Sequence, residues 1–305
     1  MTTKTRFSQI GMGYVLFTAA SVAGQLLVGS LISLLGLWQM PAWDFLYLPV
    51  SMASMYCFGL PVFFLYMRLI PVCEEPGDAG HFSEKNLLSL ALIALAFMSA
   101  GNIVGNLVSS LFNLFRSEPL VNEIEEAVTS GNRLVNYVTV ILVAPIVEEW
   151  MFRKTLLDRI RGYGDKIAIL MSGLMFGVFH GNFFQFFYAF LLGCLLAYVY
   201  LRSGRLAYSI GLHMFVNLMG SAVPLTVIAI SELLPGYFQT ILLFVYNRAY
   251  MLLVVCGLVL FFINVRKITL RPAVNEEFLD VPWKDFLINP GMLLFLVISL
   301  LQFVF

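Results

Sequence analysis

Charge is scarce in this chain. Only 12% of its 305 residues are Asp, Glu, Lys or Arg, 60% are hydrophobic, and the mean hydropathy is +0.88. A soluble domain needs far more charge to cover its surface, so the composition excludes an ordinary globular enzyme and leaves a polytopic membrane protein. Histidine is scarcer still, with His81, His180 and His213 the only three. The four cysteines, Cys57, Cys73, Cys194 and Cys256, form no CxxC pair, which gives no sign of a disulfide scaffold or a structural zinc site. Acidic and basic residues balance at 18 each, with no basic block to meet a nucleic acid. There is no GxSxG to present a serine, no HExxH, and no cysteine next to a histidine. No repeat, low-complexity tract or linker divides the chain, so residues 1–305 are expected to form a single membrane domain.

What the chain does have is long apolar runs. A bilayer core takes about 20 apolar residues per helix. On that rule spans are expected near 8–37, 45–69, 86–115, 134–157, 166–181, 183–201, 206–231, 249–265 and 286–305. The fold class is all-α, a polytopic transmembrane helical bundle of eight or nine spans. The first run begins like a signal peptide but continues well past a normal apolar region, so it reads as an uncleaved helix. The fifth and sixth are short and separated by little more than Gly181 and Asn182, as in a tight hairpin. The stretch from Pro224 to Pro235 is a candidate half-helix.

Basic residues alternate with these spans. Lys4, Arg6, Arg68, Lys85, Lys154, Arg159, Arg161, Lys166, Arg202, Arg205, Arg266, Lys267, Arg271 and Lys284 fall on one side, and Arg116, Arg133 and Arg248 on the other. The positive-inside rule makes the first side cytoplasmic, with the N-terminus in. The acidic stretch "SEPLVNEIEEAVTSGNR" then faces outward as a short amphipathic surface helix, and His81 lies solvated in a polar loop.

Ionisable groups at membrane depth are costly unless paired or hydrated, so each is a functional candidate. In "EEWMFR", Glu149 and Arg153 are four apart and share a helix face, acid first, as in a structural ion pair. Glu148 points about 100° away and remains a free carboxylate. Pro145 can kink the helix just before them. In "FGVFH", Phe176 and His180 share a face, as do His213 and Asn217 in "HMFVN". Counted from the basic helix ends, His180 comes out deeper than Glu148 and His213, which the three helices must reconcile by crossing or by later boundaries.

Each feature alone has a bland reading, since a buried histidine can simply satisfy a neighbouring helix. Together they place a carboxylate, two imidazoles and a carboxamide on three apolar helices that could line one wet cavity. A carboxylate beside a histidine can hold and deprotonate water. A second imidazole and an amide can donate to the oxyanion of a tetrahedral intermediate. That set makes an amide hydrolase without a covalent nucleophile. Two alternatives stay open. One is a zinc protease with Glu148, His180 and His213 as ligands; the other is a non-catalytic immunity or transport protein.

The motifs EExxxR, FxxxH and HxxxN, occurring in that order across residues 134–222, resemble the CPBP family, the type II CAAX prenyl endopeptidase and bacteriocin-processing (Abi) proteins. The resemblance implies an intramembrane glutamate-dependent protease that needs no cofactor. In it Glu148 would be the base acting with His180 on water, and His213 and Asn217 the oxyanion hole. Glu149 and Arg153 complete the first motif and Phe176 the second. Its partners would be membrane lipids and a peptide or protein substrate, lipidated or not, in a bacterial inner membrane.

Overall fold

The computed structural model describes residues 1–40, 43–73, 82–122, 126, 129, 132–274, 278–279 and 281–303. His81 and seven of the 17 residues in the expected acidic surface stretch (123–125, 127–128 and 130–131) lie outside the described residues. The described residues form an all-helical membrane bundle. Its helices are α1 Thr3–Leu34, α2 Trp43–Met67, α3 Glu84–Asn113 and α4 Arg133–Tyr163. They continue as α5 Asp165–Phe179, α6 Phe183–Ser203, α7 Leu206–Glu232, α8 Gly236–Val265, α9 Trp283–Leu287 and α10 Pro290–Gln302.

Among the described residues, seven of these (α1–α4 and α6–α8) are long and apolar enough to cross a membrane. The eight or nine spans read from hydropathy also count α5 and α10. At 15 and 13 residues these two are about 22 and 20 Å long and fall short of a full hydrocarbon core.

Two boundaries differ from the sequence expectation. No half-helix starts at Pro224; α7 runs through it to Glu232 and the break falls at Pro235. The expected 249–265 span is the second half of a 30-residue helix that begins at Gly236. Gln239, Asn247 and Arg248 made its first half read as extramembrane. Arg248 lies over the Phe244 ring, 4.9 Å from its centroid. It is 18 residues, or about 27 Å, from Arg266, which puts it near the far interface.

Two apolar clusters organise the bundle. One is aromatic and joins α1, α2, α4, α5 and α10 through Phe7, Tyr14, Phe63, Phe152, Phe176 and Phe295. The other is aliphatic and joins α3, α6, α7 and α8 through Leu90, Leu95, Leu196, Leu212, Val216 and Val254. The α5–α6 hairpin belongs to both. α10 returns to α1 across nearly the whole chain. Gly11 and Gly291 let the two backbones touch, since a Cβ on Gly291 would lie within van der Waals overlap of the Ser8 carbonyl. The Gly291 N–H donates to Ser8 Oγ at 3.0 Å.

The basic residues grouped by the positive-inside count do gather at one end. Arg6 donates to the Pro71 and Arg159 carbonyls, both at 2.9 Å. Arg271 and Arg202 pair with Asp165 at 3.3 and 3.5 Å. Asp158 is held by Arg161, Lys154 and the Tyr200 hydroxyl. These bonds bring the end of α4, the start of α5, the end of α6 and the segment after α8 to one level.

Candidate functional site

The centre of α4 is not a regular helix. Two π-helical segments, Thr139–Val143 and Trp150–Thr155, bracket one α-helical segment, Ala144–Glu149, which carries both glutamates. Pro145 accounts for the first. Its ring would clash with the carbonyl four residues back, and it has no N–H to donate. The helix widens instead, so that the Ala144 N–H bonds to the Thr139 carbonyl five residues back. In that register the Val140 carbonyl would next receive an N–H from Pro145, which has none. Asn217 supplies it: its side-chain Nδ2 donates to the Val140 carbonyl at 2.9 Å. α7 uses a similar device. The Val223 N–H bonds back five residues to Leu218, and Pro224 follows. Such π segments are frequent at functional sites.

Glu149 and Arg153 are completely buried and lie 3.0 Å apart, Oε2 to Nε. The contact is a charge pairing rather than an aligned hydrogen bond. The other carboxylate oxygen, Oε1, lies 3.1 Å from His213 Nδ1. Arg153 Nη1 donates to Ser172 Oγ at 3.0 Å, the Ser172 hydroxyl donates to the Phe152 carbonyl at 3.2 Å, and the guanidinium sits 4.8 Å over the Phe176 ring. Two buried charges each carry a desolvation cost of several kcal/mol, and these added partners offset it.

Glu148 points elsewhere. Its side chain keeps 14% of its exposure, and its Oε2 lies 3.7 Å from His213 Nε2, too far for a direct hydrogen bond. It also lies within electrostatic range of His180, Tyr56 and Tyr188. His213 thus stands between the two glutamates, one at each ring nitrogen.

The α5–α6 turn positions His180. α5 ends at Phe179, His180 caps it, and Gly181 takes the left-handed conformation (φ 67°) that stops the helix. Asn182 then caps α6, its side chain accepting from the Gln185 N–H. His180 Nδ1 lies 2.7 Å from the Phe176 carbonyl. A carbonyl only accepts, so Nδ1 carries the proton and Nε2 of the neutral ring is left as an acceptor. The Phe176 ring meets both imidazoles edge-on, His180 at 4.7 Å and His213 at 5.6 Å between centroids.

The depth mismatch between Glu148 and His180 disappears because α4 ends at Tyr163 rather than near Lys154 to Arg159. Glu148 is 15 residues from Tyr163 and His180 is 15 from Asp165, about 22 Å each.

Three helices, α4, α5 and α7, therefore bring Glu148, Glu149, Arg153, Phe176, His180 and His213 together. Asn217, one turn beyond His213, instead turns its amide to the Val140 carbonyl. Sequence reasoning missed Ser172, for which the sequence carries no signal. It also missed a polar string running from the hairpin turn: Asn182 Nδ2 to Gln185 Oε1 at 2.9 Å, and Gln185 Nε2 to the Tyr188 hydroxyl at 2.7 Å. Three polar residues at i, i+3 spacing opening an apolar helix were the available clue. Among the described residues no three His, Cys, Asp or Glu side chains are grouped to hold a metal ion.

Fold and site together define an integral membrane protein with acid, base and guanidinium groups enclosed in mid-bundle. Comparison with known proteins adds a similarity. Residues 130–219 match the family model of the Rce1-like type II CAAX prenyl endopeptidases. The matched segment contains all three motifs, so the resemblance read from them holds over the site-bearing part of the chain. In general terms it supports a membrane-embedded hydrolase of the CAAX-protease type. The chain is also similar to UPF0177 protein YbdI of Lactococcus lactis subsp. lactis (strain IL1403), 28% identical over 170 residues, covering 52% of this chain and 91% of that protein. No solved structure matches.

Proposed function

We propose that the protein is a glutamate-dependent intramembrane endopeptidase in which Glu148 is the general base. The observation that carries this reading is the division of labour between adjacent glutamates. Glu149 is locked by Arg153 and His213, whereas Glu148 has no close ion pair and keeps an opening to solvent. Water would be held between the Glu148 carboxylate and His180 Nε2, the two acceptors on that side. As its oxygen bonds to the scissile carbonyl carbon, its proton passes to Glu148. The carbonyl π pair moves onto oxygen, where His213 and the second amide N–H of Asn217 would stabilise it. Collapse of the intermediate breaks the C–N bond, and Glu148 returns the proton to the departing amine.

On this reading Glu149 fixes the His213 ring, and Asn217 both donates and braces α4. The substrate would be a membrane-associated peptide or protein, with or without a lipid anchor, and the compartment a bacterial inner membrane with the N-terminus inside. The test is peptide cleavage by purified protein with Glu148→Gln, which keeps the shape of the side chain and removes the base. Loss of cleavage with unchanged folding supports the reading; undiminished cleavage overturns it. A strong chelator in a parallel reaction separates this chemistry from a zinc mechanism through the same residues. Membrane proteomics with and without the variant would then reveal the substrate as cuts made only by the active protein.

A further inference from the structure

At the basic end of the bundle a cavity of about 250 Å³ opens between α2 and α4. Phe64, Met67, Arg68, Trp150, Thr155 and Arg159 line it. Two of the six are arginines and none is an acid. Arg159 is only 8% exposed, yet its bonds go to neutral groups: Nε to the Met67 carbonyl at 2.9 Å and Nη1 to the Thr155 carbonyl at 2.8 Å. The neighbouring carboxylate, Asp158, is already engaged by Lys154, Arg161 and Tyr200. Arg6 adds a third guanidinium nearby, donating to the Arg159 backbone carbonyl. Among the described residues Arg159 makes no direct ion pair, and a buried cation so placed, with a second guanidinium close by, is a costly arrangement in a membrane protein.

The apolar surroundings narrow the choice of anion. Phe64 and Trp150 stand 5.1 Å apart in the cavity wall, and Trp150 is 51% exposed. Next to it Leu65 and Leu69 on α2 and Ile146 on α4 also face outward. A small anion from water would neutralise the arginines but leave this greasy rim unused. A phosphodiester carrying acyl chains would use both, and basic pockets between transmembrane helices are suited to such headgroups.

We infer that this cavity binds the phosphate of an anionic phospholipid, held by Arg159 and Arg68 with its acyl chains lying along Phe64 and Trp150. Arg68 suits the experiment because it is exposed and makes no ion pair among the described residues, so the fold survives its loss. The protein is purified from mixed micelles containing equal phosphatidylglycerol and phosphatidylcholine, and the retained lipid is measured by mass spectrometry. The wild-type chain is expected to retain phosphatidylglycerol in preference. Arg68→Gln should cut that preference about fivefold, the effect of one basic residue near a lipid surface, and Arg68→Lys should restore most of it. Arg248→Gln, at the far interface, should change nothing. Equal retention of the two lipids, an equal loss with Arg248→Gln, or displacement of the lipid by millimolar inorganic phosphate would each overturn the assignment.

Discussion

Two buried ionic assemblies in this bundle use similar residues to different ends. At mid-bundle, Glu149 and Arg153 are fully buried, and their partners are few: His213, Ser172 and the Phe176 ring. At the basic end, Asp158 and Asp165 are almost as buried, but each has several cations or hydroxyls competing for it. The end assembly is redundant and ties segments together, so losing one member leaves the others in place. The central one orients a single imidazole, so every member matters. Burial of charge alone does not distinguish the two assemblies; the lack of redundancy in the central one does.

The comparison can be tested from its strongest element down. Glu148→Gln should lower peptide cleavage by at least about a hundredfold while leaving the thermal unfolding midpoint near that of the wild type. A stability loss instead would make Glu148 a structural group like its neighbour. Glu149→Gln should act first on stability, leaving the Arg153 charge uncompensated at a cost of about 3–5 kcal/mol. That would be visible as a lower midpoint or a loss of folded protein, whether or not substrate is present.

Asn217→Leu should cost about 1–3 kcal/mol by orphaning the Val140 carbonyl. Part of that loss should return in the Asn217→Leu, Pro145→Ala double variant, where residue 145 regains an N–H. Strict additivity of the two changes in a double-mutant cycle would refute the link between proline and amide. Lys154→Met should be nearly silent. Its ammonium, though 2.8 Å from Asp158, is half exposed and shares that partner, which limits it to under about 1 kcal/mol.

The sequence made some of this legible and hid the rest for physical reasons. Helical periodicity is local, so the Glu149–Arg153 pair, the Phe176–His180 contact and the Gly181–Asn182 turn could be read from spacing alone. Charge alternation likewise gathered the basic residues at one end. Contacts between helices are not encoded in spacing. Nothing local links His213 to Glu149, 64 residues away, or Asn217 to Val140, 77 residues away. The expectation that Asn217 pairs with His213 as a free donor therefore missed its bond to α4. Hydropathy also fails where a helix outgrows the bilayer, as α8 does by carrying Gln239, Asn247 and Arg248 beyond the apolar window. Pro145 did signal a kink, but that the helix would widen rather than bend is a tertiary outcome, stabilised by a neighbour's side chain.

The glycine contact between α1 and α10 has a bearing on biogenesis. On α1 the flank around Gly11 stays bare until residue 291 arrives from the translation machinery, 280 positions later. During that interval the nascent bundle must leave the slot vacant or lend it to a passing acyl chain. Any bulkier side chain at Gly291 would shut the slot permanently and leave the newborn protein unfinished at its seam.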